Sequence, residues 1–137
     1  MGEYGSLFGW LIVTGLTLAL LNFPIKLVYR KWISAMNKES GFKKVYSGVQ
    51  KIIVKYHRFF AGFATLMLIV HLIIQLQYRW LSTTGLIAAI LLAINGFLGG
   101  YGHYVRKKKK SAWLYVHRSI AVLAALAIIL HIVMRGR

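Results

Sequence analysis

The stretch His57-Arg58-Phe59-Phe60-Ala61-Gly62-Phe63-Ala64-Thr65-Leu66-Met67-Leu68-Ile69-Val70-His71 decides the fold. It is an apolar run bracketed by histidines fourteen positions apart, the first followed by arginine. A second stretch, from His117-Arg118 to His131, reads the same way sixty positions later. The two match at His, Arg, Ala, Ala, Leu, Ile and His. An ionisable residue inside a bilayer is costly and marks function by default. Four of the five histidines of the chain stand in this double bracket.

Outward from these stretches the composition is that of a membrane protein. The 137 residues are 58% hydrophobic, and the apolar runs approach the roughly 20 residues that a membrane helix needs. The net charge of +16 clusters between apolar runs, which argues for membrane topology and against nucleic acid as a partner. There is no cysteine. Disulfides, thiolate iron–sulfur ligation and covalent haem attachment are thereby excluded. Glu3 and Glu39 are the only acids, which excludes paired-carboxylate catalysis and carboxylate-rich metal sites.

The pattern predicts an all-α membrane domain over 1–137, a bundle of four transmembrane helices near 7–28, 52–76, 83–104 and 112–134. Pro24 is expected to kink the end of the first. Ser47 with Gln50 reads as a capping box for the second, and Ser82 and Ser111 as caps for the third and fourth. The region 29–51 reads as a basic, solvated loop in contact with anionic lipid. Nine Lys or Arg lie between Lys26 and Arg58, and six more between Arg106 and Arg118. Only Arg79, Arg135 and Arg137 fall on the opposite side. The positive-inside rule then puts both basic connections in the cytoplasm and both termini outside, and the expected setting is a bacterial or archaeal cytoplasmic membrane. Tyr29, Trp32, Tyr46, Tyr56, Tyr104, Trp113 and Tyr115 form an aromatic belt on the cytoplasmic side, with Tyr78 and Trp80 on the other.

Fourteen residues of helix advance about 21 Å and turn about 1400°, about 40° short of four full turns. His57 and His71 therefore lie near one face, close to opposite sides of the hydrocarbon core, and so do His117 and His131. The second and fourth helices run in the same direction, so His57 is level with His117 and His71 with His131. Two imidazoles at one level can ligate a haem iron axially. The expectation is two stacked, non-covalent b-type haems with His57, His71, His117 and His131 as iron ligands. Arg58 and Arg118 suit haem propionates at the cytoplasmic level, with Lys55 close by. Arg135 and Arg79 do so at the outer level. Snorkelling to the interface is the other role open to these arginines.

Two parallel helices, each carrying histidine, thirteen residues, histidine, resemble the haem core of respiratory cytochrome b and the ferric-reductase-like transmembrane cytochromes. The resemblance covers about 80 residues, from the second helix through the fourth. It implies four histidine ligands, two haems, and electron transfer across the membrane, as a cytochrome b subunit or a small quinol- or metal-linked oxidoreductase. Nothing in the chain corresponds to the flavin and nicotinamide domain of the oxidase-type reductases. The implied electron donor is a redox partner protein, a quinol with its quinone site, or a small reductant.

His103 falls at the cytoplasmic end of the third helix. It reads as a substitute ligand, a propionate partner, part of a quinone site, or an interfacial histidine between Tyr101 and Tyr104. Two other readings of the chain stand beside electron transfer. One is a histidine-based metal transporter. The other is a haem-free anchor subunit of a larger complex or homo-oligomer, its basic loops meeting an acidic partner.

Overall fold

A computed structural model describes residues 2–78, 81–107 and 109–135, with the side chain of Arg135 left out. The expectations for Arg79, Trp80, Arg137 and the Arg135 side chain lie outside the described residues. All regular structure among the described residues is helical. The order is α1 (Gly2–Leu20), α2 (Asn22–Val28) continued by a π-helical turn at Tyr29–Ile33, α3 (Gly41–Tyr78), α4 (Thr83–Gly100) continued by a π-helical turn at Tyr101–Val105, and α5 (Ala112–Arg135). Four helical stretches are long and apolar enough to cross a membrane: Glu3–Ile33, Gly41–Tyr78, Thr83–Val105 and Ala112–Met134.

The first span breaks at Leu21, within one turn ahead of Pro24. Proline has no N–H to donate and its ring crowds the carbonyl four residues back, which here is Leu20. Ser82 caps α4 as its sequence position predicts, its hydroxyl accepting from the Gly85 N–H.

The connection between the first two spans differs from expectation. It is helical except for residues 34–40, and α3 begins at Gly41, eleven residues ahead of the expected start at Ile52. Ser47 and Gln50 are interior residues of α3 and form no capping box. The early start has a packing reason. Ile33 and Ile53 are buried, and the Tyr46 hydroxyl donates to the Ile25 carbonyl at 3.0 Å. The Lys43 ammonium donates to the carbonyls of Ser34 at 2.8 Å and Met36 at 2.7 Å. Those carbonyls follow a helix end, where acceptors lack intrahelical partners and a cation is favoured.

The bundle is two hairpins. α1 packs chiefly on α3 and α4 chiefly on α5, with few contacts between the pairs. Ile12, Leu16, Leu68, Ala89 and Leu92 form a small shared core. Most other large apolar side chains face outward, as lipid-facing surfaces do. Close approach comes from small residues, the usual device where lipid removes the hydrophobic drive between helices. A Cβ on Gly15 would lie 3.2 Å from the Ala64 Cβ, so α1 and α3 nearly touch there.

Candidate functional site

Each bracketing histidine is a residue of a long helix whose ring is gripped by its hairpin partner. His57 Nδ1 lies 3.0 Å from the Ala19 carbonyl and His71 Nδ1 3.0 Å from the Gly5 carbonyl, both on α1. His117 Nδ1 lies 3.2 Å from the Asn95 carbonyl on α4. His131 Nδ1 lies 3.2 Å from both the Ser82 and the Thr84 hydroxyls. A carbonyl only accepts, so the first three rings carry their proton on Nδ1 and, when neutral, their lone pair on Nε2. A fixed Nδ1–H donor bond is how proteins orient an imidazole that takes a metal through Nε2.

Glycines stand beneath three of these rings, and at Gly99 and Gly85 an added Cβ would crowd the ring. A helical carbonyl already accepts from the N–H four residues on, and the side chain at that later position leans back over it. Gly9 stands four residues after Gly5, and Gly99 four after Asn95. A Cβ on Gly9 would lie 3.7 Å from His71 Cε1, and one on Gly99 3.3 Å from His117 Cε1. Gly85 plays the tightest part, its added Cβ falling 2.9 Å from His131 Cε1. On the first hairpin, His57 instead takes a carbonyl two positions ahead of the Leu21 break.

The partner helices also repeat. Ala19 and Asn95, which accept from His57 and His117, are seventy-six positions apart. Gly9 and Gly85, beneath His71 and His131, are seventy-six apart as well. The ligand helices repeat at sixty. The sixteen-residue difference is extra chain inside the first hairpin, between α1 and the bracketed part of α3. Comparison at a single offset of sixty leaves this second register unseen.

The histidines pair across the hairpins. His71 and His131 line one cleft of about 480 Å3 with residues of all four spans, among them Gly9, Ile12, Gly85 and Ala88. Gln75, which is buried, lines it too. At the other level His57 and His117 lie within electrostatic reach of each other. Trp113 tilts against His117 with ring centroids 6.2 Å apart. Trp113 is itself held by its indole N–H donating to the Lys109 carbonyl at 2.9 Å and by close approach to Gly102.

The cationic residues sit at the His57/His117 level. Arg58 donates to His103 Nε2 at 2.6 Å, so that nitrogen is the acceptor and the His103 ring is neutral. The Arg118 guanidinium lies over the Phe23 ring at 4.6 Å. Lys26, which the sequence did not single out, is within electrostatic reach of both His57 and Arg118. Among the described residues the buried amide oxygens of Asn22 and Asn95 meet no hydrogen-bond partner. Among the described residues no three His, Cys, Asp or Glu side chains come together. In comparisons with protein-family models, curated proteins and solved structures, nothing matches this chain.

Proposed function

We propose that this protein moves electrons across a membrane through two b-type haems, His57 and His117 holding one and His71 and His131 the other. The observation that carries the reading is the common grip on Nδ1. Four intramembrane imidazoles, two from each hairpin, are each anchored through the same nitrogen. Metal-ligating histidines almost always donate their other ring N–H to such a partner. The cleft at His71 and His131 also falls within the roughly 300–1,000 Å3 of cofactor pockets.

When bound, each haem supplies a one-electron redox centre. The chain's own residues do the rest. The Nδ1–H bonds of His57, His71 and His117 fix ring direction and raise ligand basicity. Apolar walls such as Ile12 and Ala88 exclude water. Arg58 and Arg118 supply positive charge toward propionates at the cytoplasmic level; Arg58 has N–H groups beyond the one given to His103. The basic connections orient the protein with both termini outside, so electrons enter at the His57/His117 level from a quinol or a redox partner protein.

The test is an optical spectrum of the purified protein, oxidised and dithionite-reduced, with haem quantified against protein. About two haems per chain with sharp low-spin bands is the expected result for bis-histidine ligation. A folded preparation that neither contains nor takes up haem would overturn the reading.

A further inference from the structure

A shallow groove on the basic side of the molecule is lined by Lys26 from α2 and by Gln50, Lys51, Val54 and Lys55 from α3. Lys26 is also within electrostatic reach of Arg30 and Arg118. Like charges drawn into one depression repel, and here no carboxylate offsets them. The sequence has two acids: Glu39 is paired with Lys44 at 3.1 Å, and Glu3 lies at the far end of the first span.

We propose that this groove is a binding site for the phosphate headgroup of an anionic phospholipid. Two lysines from α3 and one from α2 line this one groove. The Gln50 amide adds a neutral donor beside them. The depth fits as well. Lys55 immediately precedes Tyr56 and His57, where the apolar bracket begins, and Lys51 is one turn further out. Such a level is that of lipid phosphates, and basic pockets between spans on this side take anionic headgroups. The surroundings select an amphiphile over a free anion. Val54 lies among the lysines, an apolar contact for an acyl chain.

The site rests on the membrane-spanning architecture and not on the cofactor, so its failure leaves the haem reading untouched. The experiment is native mass spectrometry of the detergent-purified chain with phosphatidylglycerol or phosphatidylcholine of matched chain length. One phosphatidylglycerol is expected to be retained in preference to phosphatidylcholine. K51Q/K55Q is expected to weaken that retention roughly thirty-fold, the effect of two lysines near an anionic headgroup. K109Q/K110Q removes the same charge from the other basic stretch and is expected to leave retention unchanged, while K51R/K55R keeps it. Equal loss in the two glutamine variants, or no headgroup preference, overturns the site. Displacement of the lipid by millimolar inorganic phosphate would show a free-phosphate site and overturn the lipid assignment.

Discussion

Ala64 and Ala124 occupy the same place in the two hairpins. Each lies midway between the histidines of its helix, seven residues from either, and each has no exposed surface. Seven residues are nearly two helical turns, so histidine, alanine and histidine share one face. The alanine lets the neighbouring helix close in between the two histidine levels, as Gly15 does against Ala64. A64L or A124L is expected to force the helices apart, costing about 1–3 kcal/mol as overpacking does. Thermal unfolding in detergent would read this as a lowered Tm, and an unchanged Tm would contradict the close packing.

Single histidine replacements should separate the two levels. H71A or H131A is expected to lower haem content from about two per chain to about one by removing the outer haem, as loss of an axial ligand implies. H57A or H117A should remove the other. The reduced spectra of the two groups would then be complementary. Two haems retained in all four variants would sink the ligand assignment.

Gly85 and Gly62 should respond in opposite ways to the same substitution. A Cβ on Gly85 would meet the Ser82 Oγ at 2.8 Å and His131 Cε1 at 2.9 Å, whereas one on Gly62 meets nothing within 4 Å. G85A is expected to displace the His131 ring and loosen the outer haem; G62A should leave haem content unchanged. Haem retention during gel filtration distinguishes them, and equal behaviour would remove the role given to Gly85.

His103 accepts from Arg58 through Nε2, the nitrogen that an axial ligand would need. H103A is therefore expected to keep both haems. Loss of one haem on this change, measured as a pyridine haemochrome, would place His103 among the ligands.

Lys43 ties residues 34–36 to the start of α3 through two carbonyls. K43M is expected to loosen that turn by about 1–2 kcal/mol, since hydrogen bonds from charged groups contribute about that much or more. Hydrogen exchange over 34–40 would rise roughly five- to thirty-fold in consequence. Unchanged exchange would mean that the Tyr46 and Ile53 contacts alone hold the segment.

The four spans were legible because an apolar run of membrane length has few other fates. The start of α3 was not. Over 41–55 its lysines and Gln50 interrupt any continuous apolar run. The signal was there in another form, since Phe42, Val45, Val49 and Ile52 recur at three- and four-residue steps, the period of an amphipathic helix. The histidines were legible as side chains, and their spacing holds in the helices. Their partners were not, because a backbone carbonyl carries no side-chain identity. Only the glycine four residues on marks an opened carbonyl, and glycines are common wherever membrane helices pack. Lys26 escaped notice because α2 returns it to the site only after the break at Leu21.

The two registers, sixty on the ligand helices and seventy-six on their partners, bear on the ancestry of the molecule. Two hairpins of like direction that meet through like faces have the arrangement of a symmetric dimer fused into one polypeptide. In an unfused pair every change would appear twice, and both imidazoles of a level would stay identical. Fusion releases that constraint. The two hairpins can therefore differ: one anchors its histidine on the Gly5 carbonyl and carries the long basic extension, and the other anchors on the hydroxyls of Ser82 and Thr84 and is short. The present asymmetry between the halves is thus a freedom that a homodimer would not have had.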